Sequence, residues 1–156
     1  MKRAVFPGSF DPMTVGHKSI IERALEIFDE IVVAVGINNT KTAMFDIDQR
    51  MKWIDEIFAN EPKIKVDKFT GLTVDYCKKV EAKFILRGLR TSADFEFERS
   101  IGQLNKYLDA DLETVFLLTA TSHTPITSSI VRDIIRNKGN TKGLIPEEIY
   151  KDISEK

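Results

Sequence analysis

Five short apolar runs, each parted from the next by a stretch of helical periodicity, constrain the fold more than any other feature of the chain. They are Ala4-Val5-Phe6, Ile31-Val32-Val33-Ala34-Val35, Ile64 to Phe69, Phe84-Ile85-Leu86 and Val115-Phe116-Leu117-Leu118. They are rich in β-branched and aromatic residues and nearly continuous, the pattern of strands buried on both faces of a parallel sheet. Between them, Ile20, Ile21, Ala24, Leu25 and Phe28 share one helical face. Asp46 and Gln49 resemble a capping box ahead of Ile47, Met51, Ile54 and Phe58. Further helices are expected from about Leu72 to Val80, Ala93 to Leu108 and Ile130 to Asn137, the last ended by Gly139. Pro146 suits the first turn of a C-terminal helix over 146–156. This order predicts an α/β fold with a doubly wound, parallel, five-stranded sheet. The length, 156 residues, is that of one domain, 1–156. In such sheets ligands sit beyond the carboxyl ends of the strands, where the strand order reverses. The loops after each run are therefore where chemistry is expected.

Composition narrows the partners. Lys and Arg number 23 against 24 Asp and Glu, so the chain has no bulk attraction for nucleic acid or an acidic membrane, although a local basic pocket remains open to it. The single cysteine, Cys77, excludes a disulfide framework and points to a reducing compartment. It falls on an apolar-patterned helix with nothing nearby to activate it, and reads as packing. No apolar run approaches the roughly 18 residues of a membrane span. Lys2-Arg3 is followed by too few apolar residues for a signal peptide. A cytoplasmic location is expected. With only His17 and His123, no histidine-rich metal site is available.

Three segments carry the residue types that phosphate chemistry needs. The first is the loop Pro7-Gly8-Ser9-Phe10-Asp11-Pro12-Met13-Thr14-Val15-Gly16-His17, which leads into the first helix. Glycine lets backbone approach a ligand, and a helix N-terminus offers free N–H groups to an anion that His17 would face. Neither GxGxxG nor GxxxxGK[ST] occurs. The second is Arg87-Gly88-Leu89-Arg90, just past the fourth run, with two guanidinium forks suited to phosphate. The third is Ile126-Thr127-Ser128-Ser129 at the start of a helix, where hydroxyls serve as caps and, with free N–H groups, as an anion site. Taken singly, His17 serves equally as a cap or a packed ring, and the arginines as surface residues. Glu98 alone reads as a solvated helix residue. Lys41 alone is a loop lysine no better placed than Lys63 or Lys68.

Together the segments resemble one family. Thr14-Val15-Gly16-His17 is similar to the (H/T)xGH signature of the nucleotidyltransferase superfamily. With Gly8-Ser9-Phe10-Asp11-Pro12 before it, the loop resembles that of the bacterial phosphopantetheine adenylyltransferases. Arg87 to Arg90 with Asp94-Phe95-Glu96-Phe97-Glu98 resembles the family's RGLR…DFE(Y/F)E segment, and Ile126 to Ser129 its ISSS-like motif. The likeness runs from about Lys2 to Gly143. It implies a Rossmann-like nucleotidyltransferase fold and transfer of the adenylyl group of ATP to 4′-phosphopantetheine. The products would be dephospho-coenzyme A and pyrophosphate, in coenzyme A biosynthesis, with no covalent enzyme intermediate. It implies His17 as transition-state stabiliser, helped by Lys41 and Arg90. ATP contacts are implied for Ser9, Phe10, His17, Gly88, Leu89, Arg90 and Glu98, and for the segment His123, Thr124, Pro125, Ile126, Thr127, Ser128 and Ser129. Acceptor contacts are implied for Ser9, Lys41, Thr73 and Arg87. Mg²⁺ would ride on the ATP phosphates without a metal site of the protein's own. A homohexamer and feedback inhibition by coenzyme A are implied as well. Two positions depart from the pattern: His123 stands where many members carry Trp or Tyr near adenine, and Thr73 differs in type from the usual residue at an acceptor contact. The rival readings are a nicotinate mononucleotide adenylyltransferase, a cytidylyltransferase acting on glycerol 3-phosphate, and a non-catalytic nucleotide-binding module. Thr14 and the Arg87–Arg90 segment argue against the first two, and intact His17, Lys41 and Arg90 against the third.

Overall fold

Strand β1 (Arg3–Gly8) lies at the centre of the sheet, because the chain winds outward on one side of it and then crosses back. In the computed structural model, which describes residues 1–156, helix α1 (Val15–Ala24) leads to β2 (Glu30–Gly36), and α2 (Ile47–Ile57) to β3 (Ile64–Phe69). Helix α3 (Thr73–Lys79) then carries the chain back across β1 to β4 (Phe84–Leu89), and α4 (Ser92–Leu108) leads to β5 (Glu113–Leu118). A short turn at Thr121–His123, α5 (Ser128–Arg136) and α6 (Glu147–Ser154) complete the fold. All strand pairs are parallel, in the order β3-β2-β1-β4-β5.

Alternate strand residues feed two cores. Ala4, Phe6, Ile31, Val33 and Leu86 point to α1, α2, α5 and α6, meeting Ile21, Trp53, Ile54, Val131 and Ile149. Val5, Val32, Ala34 and Ile85 point the other way, onto Val74, Tyr76 and Cys77 of α3. The doubly wound expectation therefore holds, with helices on both faces. Helix α4 contributes no buried residue, although Phe97, Leu104 and Tyr107 fall along it. No helix is long and apolar enough to cross a membrane.

The reversal of strand order lies between β1 and β4. There the pairing is short: β1 matches β2 from Arg3 to Gly8 but β4 only at Ala4↔Phe84 and Val5↔Ile85. Beyond those pairs the two strands part, and a cleft opens between their carboxyl ends. Element ends differ from expectation for related reasons. Pro7 and Gly8 still belong to β1, and Arg87, Gly88 and Leu89 to β4 instead of to a following loop, because β2 and β5 go on pairing with them. Helix α1 stops at Ala24, and Leu25 to Ile27 continue as a turn, with the Phe28 amide still donating to the Ala24 carbonyl. The Asp46 carboxylate caps the Gln49 amide at 2.8 Å, but the Gln49 side chain makes no return bond to the Asp46 amide, so that capping box is only half made. Pro146 sits at the N-cap of α6, not in its first turn.

Candidate active site

The complete capping box lies at the start of α1. Thr14 Oγ1 accepts from the His17 amide at 3.3 Å, and His17 Nδ1 accepts from the Thr14 amide at 3.0 Å. His17 is thus a residue of the helix, not of the loop. Because Nδ1 accepts, the ring proton belongs on Nε2. Nε2 has no protein partner and is not sealed from the cleft that His17 lines. The ring meets Phe10 edge-on at 5.2 Å between centroids. Burial first, then the charges of Arg87 and Arg90, lower the His17 pKa to about 4, so the imidazole is neutral at physiological pH.

Phe10 reaches this place by an uncommon backbone. Its φ of 48° lies in the left-handed region, and its ring is buried beneath Gly8. A Cβ on Gly8 would stand 2.9 Å from Phe10 Cζ, so this close approach requires glycine.

Arg87 closes the other side. Its Nε and Nη2 donate to Glu98 Oε2 and Oε1 at 2.9 and 2.7 Å, a bidentate pair, and its Nη1 donates to the Pro7 carbonyl at 2.7 Å. Glu98 is therefore no solvated helix residue. Arg90 donates Nε and its amide to Asp94 Oδ2, each at 3.2 Å. The Leu89 side chain is buried, which leaves only its backbone for a ligand. At the start of α5, Thr127 caps the Ile130 amide at 3.1 Å and Ser128 Oγ donates to the Pro12 carbonyl at 2.8 Å.

These parts enclose a cleft of about 380 Å³, lined by Ser9, Phe10, His17, Gly88, Arg90 and Glu98 and by Ile126 to Ser129. A second cavity of about 290 Å³, with Thr73, Phe69 and Phe97 in its wall, adjoins it. Pro7, Gly8, Arg87 and Glu98 line both, so the Arg87–Glu98 pair stands at their border. Four expected nucleotide contacts lie outside the cleft wall: Leu89, His123, Thr124 and Pro125. His123 packs against the start of α1, 3.7 Å from where a Cβ on Gly16 would stand, with its Nδ1 buried and unpartnered. Lys41 is exposed on a turn held by Asn38 and lines neither cavity. It does lie beyond the carboxyl end of β2, whereas the Lys63 carbonyl accepts from Ile31 at the opposite edge and Lys68 pairs with Asp48 at 3.7 Å.

From the sequence, Asp94 stood out only as part of a motif, without a role, and Arg132 was not singled out. Asp94 holds Arg90, and Arg132 donates to Ser129 Oγ at 3.2 Å and to the Asp11 carbonyl at 2.9 Å. Arg132 follows Ser128 and Ser129 by four and three residues, the spacing of one helical face, which is the signal that marks it.

A parallel sheet opened at its switch point, with a neutral histidine and two guanidiniums between helix N-termini, has the build of a nucleotidyltransferase, and the family model described as cytidylyltransferase-like matches residues 5–134. The chain is 52% identical over 149 residues to phosphopantetheine adenylyltransferase of Flavobacterium psychrophilum, covering 96% of this chain and 98% of the relative. It is 48% identical over 151 residues to the protein of that name from Christiangramia forsetii, covering 97% and 99%. With that from Clostridium novyi it shares 42% over 156 residues, covering 100% and 97%. The chain belongs to the phosphopantetheine adenylyltransferase family.

Proposed function

We propose that this protein transfers the adenylyl group of ATP to 4′-phosphopantetheine, yielding dephospho-coenzyme A and pyrophosphate. The observation that carries the reading is the neutral His17, with its Nε2 proton free toward a cleft that Arg87, Arg90 and the α5 hydroxyls surround. An acceptor phosphate oxygen bonds to the α-phosphorus as the bond to the β-phosphate oxygen breaks, and pyrophosphate leaves with that electron pair. A phosphate monoester is already a nucleophile and needs no base. His17 suits the part of donor: Nδ1 is occupied, and Nε2–H stabilises charge growing on the α-phosphate. Arg90, Arg132 and the residues around Ser128 hold the leaving pyrophosphate. Lys41 and Arg87 hold the attacking phosphate, and the cavity beside Thr73 takes the pantetheine arm. Positioning two anions in this way supplies roughly 7–11 kcal/mol in favourable cases.

No cluster of three or more His, Cys, Asp or Glu side chains is built for a metal, and the cleft carboxylates Asp94 and Glu98 are tied to arginines. This donor set fits Mg²⁺ that enters on the ATP phosphates, where it neutralises their charge. Coenzyme A contains both the pantetheine arm and an adenine nucleotide, so it suits both cavities and is proposed as a feedback inhibitor. A homohexamer is proposed as well, and the exposed apolar residues of α4 support it.

The test is pyrophosphate release with Mg²⁺ and either ATP or CTP against 4′-phosphopantetheine, nicotinate mononucleotide and glycerol 3-phosphate. ATP with phosphopantetheine should be fastest by a wide margin. Equal turnover of another pair overturns the substrate, and none with any pair favours a binding module.

A further inference from the structure

The reaction proposed above gives Asp11 no part, yet Asp11 is buried beside the cleft and both its oxygens are engaged. Oδ2 accepts from the Met44 amide at 2.8 Å and Oδ1 from the Phe45 amide at 2.9 Å. These amides belong to the segment joining β2 to α2, more than thirty residues away in sequence. Its carbonyl accepts from Arg132 at 2.9 Å. The buried Arg50 makes a second stitch between the same segments, with Nε donating to the Phe45 carbonyl at 2.9 Å and Nη1 to the Ser9 carbonyl at 2.6 Å. Only a carboxylate of this size offers an acceptor oxygen to each of two adjacent amides; the amide of Asn presents one oxygen and turns an N–H toward the second donor.

The stitched segment carries Lys41, three residues before Met44. The turn of Lys41 is held locally only by Asn38, whose Oδ1 accepts from Thr40 and whose carbonyl accepts from the Lys41 amide at 3.4 Å. Contacts to the loop that leads into α1 come only at Met44, Phe45 and Arg50. We propose that Asp11 is a positioning residue: it fixes the acceptor-side segment against the loop that carries His17, and so sets where Lys41 stands relative to the reacting phosphorus. This rests on the proposed function in taking Lys41 as an acceptor ligand.

A mutant cycle tests it. Asp11→Asn should raise the KM for 4′-phosphopantetheine about tenfold or more, as expected for lost hydrogen bonds to a charged group, and leave the ATP Kd within about threefold. In a Lys41→Ala background the same substitution should change the acceptor KM less than about twofold, because the positioned group is gone. Equal loss of both ligands, or a full effect without Lys41, overturns the proposal. If Asp11→Asn does not fold, Arg50→Lys goes through the same cycle under the same criteria. Hydrogen exchange on the wild-type protein needs no variant: the Met44 and Phe45 amides should exchange far more slowly than those of Thr42 and Ala43, and equal rates overturn the clamp. Failure of the wild type to turn over ATP and phosphopantetheine would instead sink the proposed function.

Discussion

In the proposed reaction the position of one proton on His17 decides how the site works, and that position follows from a backbone contact. The Thr14 amide occupies Nδ1, so a neutral ring carries its proton on Nε2. If that proton acts mainly in the transition state, His17→Ala should lower kcat by about 10²–10³ while both substrates bind within a fewfold of wild type. His17→Asn and His17→Gln, which keep a donor, should retain part of the rate. A loop histidine would leave stability alone, but this one completes a capping box and packs on Phe10. The alanine variant should therefore also lose about 1 kcal/mol of stability, and kcat must be measured on the folded fraction. The lowered pKa gives a second expectation. The unfolded chain takes up the His17 proton near pH 6.5 and the folded protein only near about 4, so between these values the unfolded state binds more protons. Stability from this group is complete above about pH 6.5 and is lost as pH falls toward 4, about 3 kcal/mol in all. Denaturant melts at pH 7.5 and 4.5 should show a larger drop for wild type than for His17→Asn, since other groups cancel in the comparison. Equal drops would mean that the ring charges freely in the folded state.

Among the elements, β1 and its loop show how packing reaches the chemistry. Gly8→Ala would press a methyl group into the buried Phe10 ring, which itself meets His17. The variant should lose about 1–3 kcal/mol, as overpacked cores do, and kcat should fall though residue 8 offers no side chain to a substrate. Thermal melts and steady-state rates check both. The two proposed phosphate grips stand on different elements, Lys41 after β2 and Arg90 after β4. Lys41→Ala should weaken the acceptor more than ATP and Arg90→Ala the reverse, each by roughly 10- to 150-fold, read by titration of each ligand. The apolar runs disclosed every strand, because a parallel strand is buried on both faces and its composition says so. Their ends were less legible: Pro7-Gly8 and Arg87-Gly88 read as turns by composition, and only pairing with β2 and β5 keeps them extended. The loop before α1, the Arg87–Arg90 segment and the α5 hydroxyls were legible because each lies within one short stretch. The role of Asp11 was not, because the amides its carboxylate holds lie 33 and 34 residues away, and the helical spacing that marks Arg132 gives no hint of its bond to the Asp11 carbonyl, 121 residues away. Sequence could not rank Lys41 above Lys63 or Lys68 either, since the edge of the sheet that Lys63 occupies and the Asp48 that pairs with Lys68 are set by the fold.

Over the whole molecule, the two sheet faces differ in how well they are covered. Four helices pack on one, but on the other α4 leaves Phe97 67%, Leu104 58% and Tyr107 85% exposed. Apolar area of this kind along one helix is what an interface between subunits covers. Light scattering should give about six times the chain mass of 17.8 kDa, and Leu104→Glu with Tyr107→Ser should yield smaller, still folded species. An unchanged mass would place the contacts elsewhere. The opposite extreme on that same face is Cys77, the only thiol, which has no accessible surface and whose pKa burial pushes up to about 12. A maleimide can reach it only when α3 lifts from the sheet or the whole chain opens, so the labelling rate clocks that opening in the unmodified protein. Any ligand that binds only the closed form should slow the clock in proportion to its occupancy, which turns a residue with no part in the chemistry into a built-in gauge of substrate binding.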